Sequence, residues 1–222
     1  MQLALFDLDN TLLTGDSDSG WIAYLVDQDI LDRQTFEQQN AVFFAQYQAG
    51  TLDIDEYHAF QMQSLTCLPR AALERHLDDY LETRIRPMIT EKARSQVNRH
   101  LENGDLCALV TATNCFITSP ICREFGIPHL IATVAAQENG EFTGKPRGTP
   151  SFREGKISRV DDWLESLGLW RGSFERSWFY SDSLNDLPLL EIVSDPIAVN
   201  PDPTLRAHAE RAGWEILMLS EA

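Results

Sequence analysis

Apolar and polar positions follow two different periods along this chain, and the changes of period mark its architecture. Leu3-Ala4-Leu5-Phe6 is a short continuous apolar run that stops at Asp7, as expected of a strand covered on both faces. Soon after it the helical period takes over. Trp21, Ile22, Leu25 and Ile30 share one face of a helix predicted over about residues 18–31. A second helix is predicted over about 36–47, with Val42, Phe43 and Phe44 and with Gly50 as its C-cap. Asp53 and Glu56 have capping-box spacing for a third. Pro69-Arg70 opens a fourth that ends near residue 81. Around Arg86-Pro87-Met88 strand and helix begin to alternate: a helix over 91–103, then strands at 106–110, 130–131, 178–180, 197–199 and 215–217. Gly155-Lys156 opens an amphipathic stretch with Ile157, Val160, Trp163, Leu164 and Leu167 on one face, and the Gly- and Pro-rich stretch 139–150 reads as a hairpin and loop. The pattern predicts an α/β fold, a parallel sheet with a helical insertion after its first strand.

Composition narrows the setting. With 222 residues, 43% of them hydrophobic, the chain has room for one core domain and a modest insertion. A formal net charge of −16 argues against nucleic acid or an anionic membrane as partner. An anionic substrate would need a local cationic site to draw it in against that field. The first apolar run is four residues long and meets Asp7, unlike a secretory signal, and no stretch is long enough to span a bilayer. Cys67, Cys107, Cys115 and Cys122 match no zinc spacing and read as small core residues in a reducing compartment, so a cytoplasmic location is expected. Trp21, Phe43, Phe44 and Phe60 either pack the helical segment or line its inner face; helical spacing favours packing.

The chemistry begins where the first strand ends. In Asp7-Leu8-Asp9-Asn10-Thr11 two carboxylates stand two residues apart at a strand's carboxyl end. Like charges so close require a cation, usually a metal ion. Three later segments add to them. Leu106 to Val110 lands on Thr111; Gly155-Lys156 places a lysine at a helix start; Trp178-Phe179-Tyr180 runs into Ser181-Asp182-Ser183-Leu184-Asn185-Asp186. Each alone is weak, but four in order, three of them after apolar strands, are specific.

This series resembles the four motifs of the haloacid dehalogenase-like phosphohydrolases, and Tyr180 to Leu190 with Ile197-Ala198-Val199-Asn200-Pro201-Asp202 is similar to their phosphoserine-phosphatase-like branch, subfamily IB. The resemblance spans the whole core and is weakest between Trp21 and Arg86. It implies a Rossmann-like core of residues 1–14 and 87–222 with a helical cap of residues 15–86. By resemblance Asp7 is the nucleophile that forms an aspartyl-phosphate, Asp9 the general acid/base, Thr111 a phosphate hydrogen-bond donor and Lys156 the counter-charge. Mg2+ is implied as cofactor, held by Asp7, the main-chain carbonyl of Asp9 and Asp182, with Asn185 and Asp186 behind them orienting water or phosphate. Lys145 competes with Lys156, which is preferred because it opens a helix. Asn10 departs from the usual Gly or Ser and mainly shapes the turn.

The implied substrate is a small phosphorylated metabolite. Asp16, nine residues after the nucleophile, stands where phosphoserine phosphatases carry an ammonium-binding Glu, and Asp18 follows it. Either acid can face an amine or serve a helix N-terminus. The cap Arg that those enzymes use for a carboxylate is replaced by Leu68, with Arg70 as a possible substitute. An amine without a carboxylate, as in histidinol phosphate, fits better. Phosphoserine, transfer to an acceptor other than water, and a non-catalytic phospho-Asp signalling module stand as alternatives. The second acid, Asp9, and the helical insertion argue against the last. Oligomeric state is not legible in the sequence.

Overall fold

A computed structural model describes residues 1–49, 51 and 53–220, with the backbone alone at 44, 47–49, 54 and 55. The expected Gly50 cap and the Phe44 side chain therefore lie outside what is described. Six parallel strands form the central sheet: β1 (Gln2–Phe6), β2 (Leu106–Asn114), β3 (His129–Thr133), β6 (Arg176–Ser181), β7 (Asp195–Val199) and β8 (Glu215–Leu217). They lie in the order β3-β2-β1-β6-β7-β8, and a separate hairpin pairs β4 (Ala135–Glu138) with β5 (Glu141–Pro146). The chain leaves β1 in one direction to reach β2 and β3, then returns to β1's other side with β6. Such a reversal opens a crevice at the strands' carboxyl ends.

The strands read as continuous apolar runs because both faces of the sheet are covered. Ala4, Phe6, Cys107, Leu109, Tyr180, Ile197 and Val199 pack into one cluster; the residues between them, Leu3, Leu5, Ala108, Val110, Phe179 and Ala198, pack into the other. The first cluster is shared with the helical insertion. α1 (Ser17–Asp27), α2 (Arg33–Ala49), α3 (Ile54–Gln63) and α4 (Arg70–Tyr80) lead through a wide turn at Leu81–Ile85 and a 3-10 turn at Arg86–Met88 to α5 (Glu91–Glu102). Trp21, Ile22, Leu25, Met62, Leu65, Leu73 and Tyr80 join Phe6 and Leu8 in one apolar mass. α6 (Cys115–Glu124) covers the same face, while α7 (Glu154–Ser166), the single turn α8 (Leu187–Leu190) and α9 (Pro203–Ala212) cover the other.

The first helix is shorter than its periodicity suggests. It stops at Asp27, and Asp29 takes a left-handed conformation at φ 56°, so Ile30 and Leu31 pack from the following loop. Asp53 accepts the Glu56 amide at 3.1 Å, so its side chain caps the start of α3. Trp21 is fully buried against Tyr24 and Tyr80, and Phe60 stacks on Phe36, so those aromatics are packing residues. The four cysteines are free, and Cys115 is half-buried at the start of α6. The β4–β5 hairpin packs against the insertion: Arg70 lies over the Phe142 ring, its amide donates to Glu141 at 2.8 Å and its guanidinium to Gln137 at 2.7 Å. No helix among the described residues is long and apolar enough to cross a membrane.

One buried polar network ties β6 to α5. The Tyr180 hydroxyl stands 2.7 Å from His100 Nε2 and 2.7 Å from Gln96 Nε2, while His100 Nδ1 meets Asp105 at 2.7 Å. Burial lowers the His100 pKa below its ordinary value. The ring is neutral, donates from Nδ1 to Asp105 and accepts the Tyr180 hydroxyl proton at Nε2. Tyr180→Phe strands that buried nitrogen. It should lower stability by about 1–3 kcal/mol in urea unfolding without shifting the fold.

Candidate active site

The crevice at the sheet's carboxyl edge holds a cavity of about 700 Å3, and all the site residues predicted from sequence line it: Asp7, Asp9, Asp16, Thr111, Lys156, Asp182, Asn185 and Asp186. Asp7 and Asp9 follow β1, Thr111 lies in β2, and Asp182 follows β6, the strand paired with β1. Asn10 turns the chain between them at φ 58°, a conformation that Asn tolerates better than most residues.

Lys156 is the centre of charge. The residue is 2% exposed, and its ammonium donates to Asp7 Oδ1 at 2.7 Å and to Asp186 Oδ2 at 2.8 Å. Burial alone would depress its pKa; Asp186 and Asp7 more than offset that and hold it above the ordinary lysine value. Gly155 makes room for this helix start, since a Cβ there would stand 2.2 Å from the Pro150 carbonyl oxygen. Lys145 is exposed on β5, which leaves Lys156 as the buried cation. Asp186 also accepts from Ser181 Oγ at 2.7 Å and makes no capping bond to α8, so its role as a mere helix cap is excluded. Ser183 caps the 3-10 turn at Leu184–Asp186 that precedes α8, by accepting the Asn185 amide.

The acids have unequal surroundings. Asp7 is raised to about 6 by burial, with Lys156 pulling it back. Asp182 is raised to about 8 by burial and then by Asp7. Thr11 lies between the two, its hydroxyl 3.2 Å from Asp7 Oδ2 and 3.0 Å from Asp182 Oδ1, and it accepts the Asp182 amide at 3.0 Å. Asp9 is held apart: Oδ1 accepts the Ser17 amide at 2.6 Å and Oδ2 the Thr113 hydroxyl at 2.8 Å. Burial, then Asp16, raise it to about 7 despite the Ser17 bond. Thr111 Oγ1 accepts the Thr113 amide at 3.1 Å, which leaves its own proton free to donate into the cavity.

The insertion and the loop before α7 supply the opposite wall: Asp16, Asp18, Asn40, Phe43, Tyr57, His58, Gln61, Phe152 and Arg153. Asp16 caps α1 by accepting the Asp18 and Ser19 amides. Asp18 is half-buried, and burial followed by Asp16 and Asp9 holds its carboxyl well above the usual range. Arg70, the considered substitute for the missing cap arginine, points instead to the hairpin and does not line the cavity. Thr113, Ser17 and Arg153 were not anticipated. Arg153 has no signal in the sequence: its place is set by a backbone at φ 48° before Glu154 and by its bond to Asn185 Oδ1 at 3.1 Å.

Asp7 and Asp186 pair with Lys156, and Asp182 adds a third carboxylate beside them, an excess of negative charge that suits a hard cation. Among the described residues no three His, Cys, Asp or Glu side chains converge as a metal cage. A cation here would have two carboxylates, a carbonyl and otherwise water or phosphate, which fits Mg2+ and not zinc. In chelator-treated protein the raised Asp182 pKa means that the folded state binds the proton more tightly. Stability should therefore fall as pH rises from about 4 toward about 8. Asp182→Asn should flatten that slope and raise the melting temperature at pH 7.5 by about 2–4 °C or more, as read by thermal denaturation.

A family model described as haloacid dehalogenase-like hydrolase matches residues 4–191. The chain is 41% identical to a histidinol-phosphatase of Neisseria meningitidis over 97% of each chain. It is 30% identical to a phosphoserine phosphatase of Mycobacterium tuberculosis over 96% of this chain and 69% of that protein. A crystal structure of a protein of unknown function from Bordetella pertussis superposes with a TM-score of 0.95, at 45% identity over 99% of each chain. A substrate-bound phosphoserine phosphatase shares the fold, with a TM-score of 0.68 at 17% identity over 98% of this chain and 92% of the other. The chain belongs to the haloacid dehalogenase-like hydrolases, in the branch of phosphoserine-phosphatase-like and histidinol-phosphatase-like enzymes, and is a phosphatase.

Proposed function

We propose that this phosphatase is Mg2+-dependent and hydrolyses a small phosphorylated amino alcohol, such as histidinol phosphate, through an aspartyl-phosphate on Asp7. The carrying observation is the different treatment of two neighbouring acids. Asp7 faces the Lys156 ammonium, which keeps a nucleophile charged; Asp9 is clamped by Ser17 and Thr113 with a pKa of about 7, suited to giving and taking a proton. In this reading the core comprises residues 1–14 and 87–222, and residues 15–86 form the cap.

Asp7 attacks phosphorus in line while Asp9 protonates the departing alkoxide. Asp9 then takes a proton from the water that cleaves the acyl phosphate. Thr111 donates its free proton to a phosphoryl oxygen, and Lys156 offsets the charge shared by phosphate and nucleophile. Asp186 and Ser181 hold Lys156 in place, and Asn185 with Arg153 borders the same phosphate end. Mg2+, held by Asp7, the Asp9 carbonyl and Asp182, would add Lewis-acid neutralisation of the phosphoryl oxygens.

The amine preference rests on Asp16 and Asp18 in the cavity wall, on Arg70 being engaged elsewhere, and on the histidinol-phosphatase relative. Phosphoserine is the second reading, favoured by Arg153, a cavity cation able to meet a carboxylate. Phosphate release should be measured with histidinol phosphate, phosphoserine and an aryl phosphate. We expect release that stops on chelation and falls by about a thousandfold or more in Asp7→Asn. Asp9→Asn should lower kcat by about 10²–10⁴-fold. No release from any ester by folded, Mg2+-loaded enzyme would overturn the hydrolytic reading in favour of transfer to another acceptor.

A further inference from the structure

The end of β2 departs from a regular strand beside the site. Val110 pairs with Ile131 on β3, but Asn114 pairs with Thr133, so the register slips across residues 111–113. Such bulges re-aim side chains and are common next to active sites. Thr111 and Thr113 are 1% and 5% exposed, and both line the cavity. Thr113 makes two bonds there. Its amide donates to Thr111 Oγ1 at 3.1 Å, and its hydroxyl donates to Asp9 Oδ2 at 2.8 Å, which ties β2 to the turn after β1. The other Asp9 oxygen accepts the Ser17 amide at 2.6 Å. These two donors differ in kind. A main-chain amide only donates, so it holds Oδ1 as an acceptor. A hydroxyl both donates and accepts, and stays bonded to Oδ2 with or without a proton on that oxygen.

We propose that Thr113 is a positioning residue for protonation of the leaving group: it fixes Asp9 Oδ2 relative to a phosphate bound at Thr111, and so enables cleavage of esters of unactivated alcohols. The proposal rests on the phosphatase reading above, in which Asp9 is the general acid, and deepens it by naming the class of leaving group. An alkoxide is a poor leaving group and departs only as a proton reaches it. In that step the P–O bond breaks with its electron pair going to the leaving oxygen, the Asp9 O–H bond breaks, and the alcohol O–H bond forms. Asp9 is left as a carboxylate, the form to which Thr113 donates. Hydrogen bonds to a charged acceptor are stronger than those to a neutral one, so the Thr113 bond tightens as the proton leaves. It therefore lowers the barrier instead of only holding the ground state. A nitrophenolate departs without a proton and gains little from this alignment.

The test compares kcat/KM, which reads the steps through departure of the alcohol, for two esters with Mg2+-loaded enzyme. One is an alkyl ester, histidinol phosphate or phosphoserine, whichever is hydrolysed faster; the other is para-nitrophenyl phosphate. Thr113→Val keeps the side-chain shape and removes the hydroxyl. It should lower the alkyl-to-aryl ratio by about tenfold or more, and Thr113→Ser should restore the ratio to within about threefold of wild type. Asp9→Asn should lower the ratio at least as far, and adding Thr113→Val to it should lower the ratio no further. Equal losses on both esters in Thr113→Val reveal a structural role and overturn the proposal. An unchanged ratio, or a further loss in the double variant, overturns it too. Thr113→Ala carries the same comparison if Thr113→Val does not fold. If Asp9→Asn slows both esters equally, the general-acid reading of Asp9 fails and the proposal falls with it, whereas phosphatase action is read separately by total phosphate release.

Discussion

The buried ammonium of Lys156 is the interaction on which the rest of this structure depends. Asp7, Asp182 and Asp186 could not be gathered at the end of a dry sheet without it, because each buried carboxylate raises the cost of ionising the next. Its two bonds, 2.7 Å to Asp7 and 2.8 Å to Asp186, join the end of β1 to the turn after β6 through the first residues of α7. Around that join the backbone is specialised. Gly155 is required by the nearby Pro150 carbonyl, and Asn10 and Arg153 adopt positive φ. Both of these positive-φ residues and the excess charge meet at the cavity, and the apolar faces of the sheet supply the stability that sustains them.

Sheet order decides where that centre sits. With β1 in the interior of the sheet, β2 on one side and β6 on the other, residues far apart in sequence meet at one edge: Asp7, Thr111 and Asp182. The insertion closes the opposite wall and shares its apolar core with the sheet, through Trp21, Leu25, Tyr80, Phe6 and Leu8. Helix α3 and the β4–β5 hairpin meet at the edge of that wall, where Gln63 reaches the Gly144 carbonyl. Sheet and insertion are thus two layers of one packed body, with the cavity between them.

Much of this was legible in the residues. Apolar runs ending on Asp, Thr and Ser-Asp mark buried parallel strands whose carboxyl ends carry polar groups, and three such junctions with a lysine at a helix start before the last make a specific series. The helical insertion was visible as an unbroken change of period. The helix α6 was not, because Pro120 and the run of Thr and Ser around it hide a short buried face made by Ile117, Ile121 and Cys122. The helix α9 leaves a fainter signal: Asp202 caps it, Pro203 starts it and Gly213 closes it in a left-handed conformation. The roles of Thr113 and of the Ser17 amide could not be read from spacing. One depends on strand register beyond Thr111, and the other on a main-chain group that any residue would supply. Which of Asp16 and Asp18 caps α1 was equally closed to sequence, since both suit a helix start.

The 2.6 Å bond from the Ser17 amide to Asp9 joins the two layers at a single point. Ser17 is the first residue of α1, the same helix that carries Asp18 into the cavity and packs Trp21 beneath it. The proposed general acid/base is therefore oriented by a helix whose next residue lines the cavity. The position of α1 and the orientation of the Asp9 carboxylate are thereby coupled through one hydrogen bond: a shift of the helix by about an ångström at Ser17 would release Oδ1 and leave that carboxylate held by Thr113 alone.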